Sequence, residues 1–165
     1  MTSDELIEAL ESAGEDGAGE ARQGEETERY FIFTVGESYF ALAPEQIREI
    51  VTDLEVFPLP ACPPYVAGLV NCHGTPYTVF DLRVLFENER QQASKFLILK
   101  VEGDDVALGC TEVIEIAELP RSSVSSFEEK EVEARFCSAT ITLGERRVPV
   151  LAVGLIQRQL ERDLA

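Results

Sequence analysis

From residue 30 onward, short runs of strand-forming residues are stopped repeatedly by glycine, proline or a polar pair, and this punctuation restricts the fold more than any other feature. Residues 30–35 (YFIFTV) are aromatic and β-branched, side chains that suit a pleated, half-buried surface. Gly36, Glu37 and Ser38 turn the chain and residues 39–42 (YFAL) return, the pattern of a hairpin. The pattern recurs with residues 65–72 and 77–80 around His73, Gly74 and Thr75, with 96–101 and 106–110 around the turn 102–105, and with 136–143 and 147–151 around Gly144 and Glu145. Val113, Ile114 and Ile116 add a further β stretch. Helix is expected in few places. Pro44 suits a first helical turn, and Ile47, Ile50 and Val51 then recur at helical spacing, which predicts a short helix over 47–51, with an extended segment as the alternative. Asp81 is placed to cap a helix over 82–86, and Leu155, Ile156 and Leu160 predict a closing helix over 153–164. Pro58, Pro60, Pro63 and Pro64 make residues 57–64 a stiff connector, while 87–94 and 121–134 read as polar loops. Many short strands with little helix between them argue for small β-barrels rather than βαβ units.

The first 28 residues are of another character. They hold ten acidic residues and one basic one, Arg22, and residues 13–20 (AGEDGAGE) are small, acidic and glycine-rich, a linker composition. Thr2 with Glu5 could form a capping box ahead of Leu6, Ile7 and Leu10, but so short a helix is marginal alone. The expected organisation is an acidic flexible tail over 1–28 and one domain over 29–165. The formal charge of the whole chain is −17, which opposes binding to nucleic-acid phosphates and to anionic membrane surfaces. No run approaches the roughly 20 apolar residues of a membrane helix, so no membrane insertion is expected. The N-terminus opens on Asp4, Glu5 and Glu8 rather than a basic, then apolar, leader, which leads to the expectation of a cytoplasmic protein.

Little in the sequence points to catalysis. Cys62, Cys72, Cys110 and Cys137 form no C-x-x-C pair, so buried reduced thiols are the default over a structural metal site or disulfide. The one histidine, His73, follows Cys72 directly, and successive residues on a strand point to opposite faces, a poor arrangement for a Cys–His dyad. Phosphate-binding loops, dinucleotide fingerprints and H-E-x-x-H helices are absent from the sequence. A β scaffold rich in tight turns more often works through exposed edges and grooves that bind other proteins. A Cys-dependent enzyme is the rival class.

Specific residues sharpen this. Residues 31–36 (FIFTVG) with Ala41 and Leu42 resemble the opening hairpin of CheW-like domains, and residues 47–50 (IREI) resemble that family's V-x-E-I segment. Residues 68–74 (GLVNCHG) and 78–83 (TVFDLR) are similar to its G-x-x-N-x-R-G and P-x-x-D-L-R core, and 113–116 (VIEI) match the region after its central hairpin. The resemblance spans about residues 30–160, and the middle motif is its specific part. Physically, Gly68 allows a close backbone approach, Gly74 supplies a positive φ in a tight turn, and Asp81 caps the helix in whose first turn Arg83 lies.

The resemblance implies a mainly β fold of two SH3-like five-stranded β-barrel subdomains, with short helices including a C-terminal one, and a hydrophobic groove between the barrels. It implies no enzyme activity and no cofactor. Its functional consequence would be a scaffold that couples a methyl-accepting-type chemoreceptor to a CheA-like histidine kinase, a monomer when isolated and recruited to receptor arrays. Ile47, Glu49 and Ile50 would then line a receptor groove, with Asn71 and His73 in an adjoining loop, while Gly68, Gly74, Asp81 and Arg83 would be architectural. Three departures stand out: His73 replaces the motif arginine, Pro76 stands earlier than the expected proline, and Thr111 and Ala107 replace an aspartate and a glycine. They suit an alternative role, a divergent module serving another cytoplasmic partner in surface motility or pilus regulation.

Overall fold

The computed structural model describes residues 26–87, 89–90, 92–126 and 135–164. The helix and linker expected over residues 1–25, and residues 127–134 of the expected polar loop, lie outside them. Among the described residues, eleven strands and two α-helices follow in order: β1 (Thr27–Val35), β2 (Ser38–Leu42), β3 (Ile47–Thr52), β4 (Val66–Cys72), β5 (Thr75–Phe80), α1 (Leu82–Glu87), β6 (Lys95–Leu99), β7 (Val106–Cys110), β8 (Glu112–Pro120), β9 (Val124–Ser125), β10 (Cys137–Leu143), β11 (Arg146–Leu151) and α2 (Val153–Leu164). They form two sheets, ordered β8-β1-β2-β11-β10-β9 and β3-β6-β7-β5-β4. The chain starts the first sheet, builds the whole second sheet in one excursion, and returns to finish the first.

The second sheet has the five strands expected. The first has six, because Val124 and Ser125 pair with Ile141 and Thr140 inside a stretch expected to be loop. β1 begins at Thr27, so the last two residues assigned to the tail are strand, paired with Pro120 and Leu119.

The helix expected over 47–51 is not there. Pro44–Gln46 makes a single 3₁₀ turn, and Ile47–Thr52 is β3, antiparallel to β6. The helical spacing has a β explanation. Ile47 pairs with Leu99 but Glu49 pairs with Ile98, so Arg48 is an inserted residue, a β-bulge. The insertion resets the alternation, and Ile47 and Ile50, three apart, both point inward.

Alternation along the strands accounts for three apolar clusters. Tyr30 and Ile32 of β1 face a cluster with Ala117, Ile141 and Val148 inside the first sheet. Val79, Phe96, Ile98 and Ala107 do the same with Val70 and Cys72 inside the second. The intervening residues, Phe31, Phe33, Phe80, Leu97, Leu99 and Leu108, meet in one larger cluster shared by both sheets. Each sheet therefore wraps one face around its own interior and packs the other against its neighbour.

Both helices tie the halves together. α2 follows the first sheet in sequence, yet Val153, Ile156 and Leu160 enter the shared cluster. Its Gln157 Nε2 donates to Glu102 O and Asp104 Oδ2, each at 2.7 Å, on the turn between β6 and β7, and the Tyr65 hydroxyl donates to Asp163. At α1, Asp81 Oδ1 accepts the Arg83 and Val84 amides at 3.0 and 3.4 Å, the cap expected from the sequence. Phe86 then packs on Phe40 of the first sheet, with ring centroids 5.2 Å apart.

Candidate protein-docking surface

The hairpin between β4 and β5 is closed by His73 and Gly74 alone, since Cys72 pairs directly with Thr75. Both loop residues have positive φ, 53° and 85°, as a type I′ turn requires. Gly74 meets that requirement without strain, and Asn71 Oδ1 steadies the turn by accepting the Gly74 amide at 3.0 Å. His73 is left 76% exposed at the tip.

This turn also overturns the expectation that Cys72 and His73 face apart. The left-handed backbone at His73 ends the strand alternation, and both side chains reach Glu49 of β3. His73 Nε2 lies 2.9 Å from Glu49 Oε1, and the Cys72 thiol donates to Glu49 Oε2 at 3.7 Å. β3 and β4 are the two edges of the second sheet, so these contacts, with Arg48 Nη1 donating to the Tyr77 hydroxyl at 3.2 Å, draw its edges together. Burial, followed by the charge of Glu49 and the hydrogen bond to it, raises the Cys72 thiol pKa. The Cys110 thiol is pushed up to about 12 by burial. A nucleophilic cysteine needs the opposite shift.

The expected groove residues divide. Glu49 is partly exposed and Asn71 and His73 are exposed, on one surface. Ile47 and Ile50 are only 4% and 2% exposed, within the shared core, so neither lines an open groove as expected. The bulge at Arg48 turns both inward.

Gly68 and Arg83 each lie against neighbouring backbone or a turn. Gly68 has φ +145°, and a Cβ built there would stand 2.3 Å from the Phe57 carbonyl oxygen. Leu69 and Phe57 exchange both backbone hydrogen bonds, each at 2.8 Å. Arg83 lies across the β1–β2 turn, where a Cβ on Gly36 would be 3.3 Å from its Nε, and it pairs with Glu87 at 3.0 Å and Glu89 at 2.6 Å. At the substituted position Thr111, Oγ1 accepts the Gly36 amide at 2.8 Å, closing the same turn from the other side.

Two surface features were missed in the sequence. Phe57, inside the proline connector, is 51% exposed. A hollow of about 680 Å³ is lined by Leu69 and Pro76 of the β4–β5 hairpin, Leu160 and Glu161 of α2, and Asp104 and Asp105. Alternation along β4 points Leu69 and Asn71 to the same outer side, and that signal could have found the hollow's hairpin wall.

Comparison by sequence with curated proteins yields no match. Among solved structures, the chain is similar to the scaffolding protein TtCheW from Thermoanaerobacter tengcongensis, with a TM-score of 0.69 and 18% identity, over 77% of this chain and 90% of that one. That likeness shows a shared fold. The CheW-like domain profile matches residues 29–161, most of the chain, and the chain therefore belongs to the CheW-like domain family.

Proposed function

We propose that this protein is a non-enzymatic adaptor that couples a chemoreceptor to a CheA-like histidine kinase in a bacterial chemosensory array, acting in the cytoplasm. The observation that carries this reading is the family match over residues 29–161. The structural neighbour's description as a scaffolding protein agrees with it. No helix among the described residues is long and apolar enough to cross a membrane.

The docking surface is the polar corner formed by Glu49, Asn71 and His73, continued by the hollow beside Leu69 and Pro76. An exposed polar corner sets specificity and association rate, and the adjoining apolar wall supplies contact area for a helical receptor tip. His73 in place of the motif arginine favours a second reading, a receptor or kinase from a divergent system such as surface motility. A planar, permanently charged fork is replaced there by a smaller imidazole ring.

The test is calorimetric binding of the full chain to a receptor cytoplasmic fragment and to the kinase regulatory domain from the same genome. Both should bind, and Glu49→Lys should weaken receptor binding at an unchanged melting temperature. His73→Arg should alter affinity for one of the two partners. Absence of binding to every receptor and kinase of that genome would exclude the coupling role.

A further inference from the structure

The corner where the edges of the second sheet meet holds three different metal-ligating groups. A Glu49 carboxylate oxygen, Cys72 Sγ and a His73 ring nitrogen all lie within 4.8 Å of one another. We infer that Glu49, Cys72 and His73 form a binding site for a thiophilic divalent cation, zinc above all, which clips β3 to the β4–β5 hairpin.

Donor type, spacing and charge each support this. Thiolate, imidazole and carboxylate are zinc's ordinary ligands, and a thiolate disfavours magnesium and calcium. With metal–donor distances of about 2.0 Å to N and O and about 2.3 Å to S, tetrahedral coordination sets the donors roughly 3.3–3.5 Å apart. Glu49 Oε1 lies 2.9 Å from His73 Nε2 and Glu49 Oε2 lies 3.7 Å from Cys72 Sγ, so the carboxylate already reaches each of the other two donors through one of its oxygens. The widest separation must close by little more than about 1 Å, a shift open to the exposed His73 ring. The Glu49 carboxylate already faces two potential donors, the thiol S–H and the imidazole. A cation would take the place of the protons between them. As the metal–sulfur bond forms, the thiol proton passes to solvent, and a proton on His73 Nε2 leaves that atom, to Nδ1 by tautomerisation or to solvent, so that the neutral imidazole binds through Nε2 with its one proton on Nδ1. Thiolate and carboxylate then balance the two positive charges, and water takes the fourth position.

The site is independent of partner identity. It arises because residue 73 is a histidine held beside Glu49 by a type I′ turn. No C-x-x-C pattern marks the site because the third ligand comes from β3, 23 residues before Cys72.

The full-length chain, stripped with a chelator and kept reduced, should take up one Zn²⁺ per molecule with a rise in melting temperature, since the ion joins two sheet edges in the folded state only. Co²⁺ should give the visible d–d absorption of a tetrahedral site and a thiolate charge-transfer band. His73→Gln, at an exposed position, should keep the fold and weaken Zn²⁺ binding by at least about tenfold, because even outer-shell changes cost about 10–100-fold. Cys72→Ser should abolish the charge-transfer band, and Cys62→Ser should leave it unchanged. The inference is overturned by absence of saturable uptake, by unchanged affinity in His73→Gln, or by a thiolate band that follows Cys62. Uptake without tetrahedral cobalt absorption would mean binding by acidic side chains elsewhere and would equally overturn it.

Discussion

Two glycines of the β4–β5 hairpin, Gly68 and Gly74, illustrate how much a single residue's surroundings matter. At Gly74 nothing lies within 4 Å of an added Cβ, so Gly74→Ala faces only the penalty for a left-handed backbone, about 1–2 kcal/mol. At Gly68 an added Cβ would also meet the Phe57 carbonyl oxygen at 2.3 Å, and the main chain itself must move. Gly68→Ala should therefore be clearly the more destabilising in chemical denaturation, and equal costs would mean the connector yields freely. Ile50→Ala should cost about 2–5 kcal/mol, as for other fully buried aliphatic truncations. Any loss of receptor binding in that variant should track its loss of folded protein. Gly68, Gly74 and Asp81 were legible in the sequence because their roles depend on a few neighbouring backbone atoms. Ile47 and Ile50 were misread because a bulge produces the same three-residue spacing as a helix, and a bulge is fixed by pairing with β6, almost fifty residues further on.

At the level of elements, α1 shows how a six-residue helix too short to stand alone is held. Asp81 caps its start, Phe86 packs on Phe40, and the Ser38 hydroxyl donates to Glu87 across the boundary between the sheets. Asp81→Ala should cost about 0.5–2 kcal/mol, as expected of a lost N-cap. The Ser38 hydroxyl, and after it the Arg83 guanidinium, hold the Glu87 carboxyl below its usual value of 4.5. A depressed carboxyl contributes stability that is present above its unfolded value and lost as pH falls through the folded one. Thermal melts should show wild type losing more stability than Ser38→Ala below about pH 4.5, and parallel curves would remove Ser38 from the account. The hairpins and α2 were legible because turn residues and apolar periodicity are local signals. β9 was not, because two residues carry no pattern and their strand character comes from β10 alone.

Across the whole molecule, the shared core and α2 make the two sheets depend on each other, and the strand order explains why no sequence boundary separates them. β1 is the first strand among the described residues. Deleting residues 1–25 should leave the melting temperature nearly unchanged, whereas deletion through residue 28 removes the Thr27–Pro120 and Glu28–Leu119 pairs and the Thr27 Oγ1 bond to Glu118 at 2.6 Å, and should lower it. Alkali should act on both halves at once. Burial and the Glu28 carboxylate raise Tyr30 in the first sheet to about 12, burial raises Cys110 in the second to about 12, and burial with the Asp163 hydrogen bond raises Tyr65, where α2 meets the second sheet. In each case the folded state holds its proton more tightly than the unfolded chain. The stability this confers is complete below the unfolded values, 9.0 for the thiol and 10.0 for the tyrosines, and is lost as pH rises through the folded ones. The melting temperature should therefore be flat up to about pH 9 and fall steadily towards pH 12 in a single transition, because the groups that ionise sit on both sheets and on the helix that joins them. Tyr65→Phe has no proton to lose at that position and should fall less steeply with pH than wild type, although it starts lower for want of the bond to Asp163. Equal slopes for the two proteins would show that the helix contact is not part of the alkaline response, and two separate transitions would show that the sheets unfold independently.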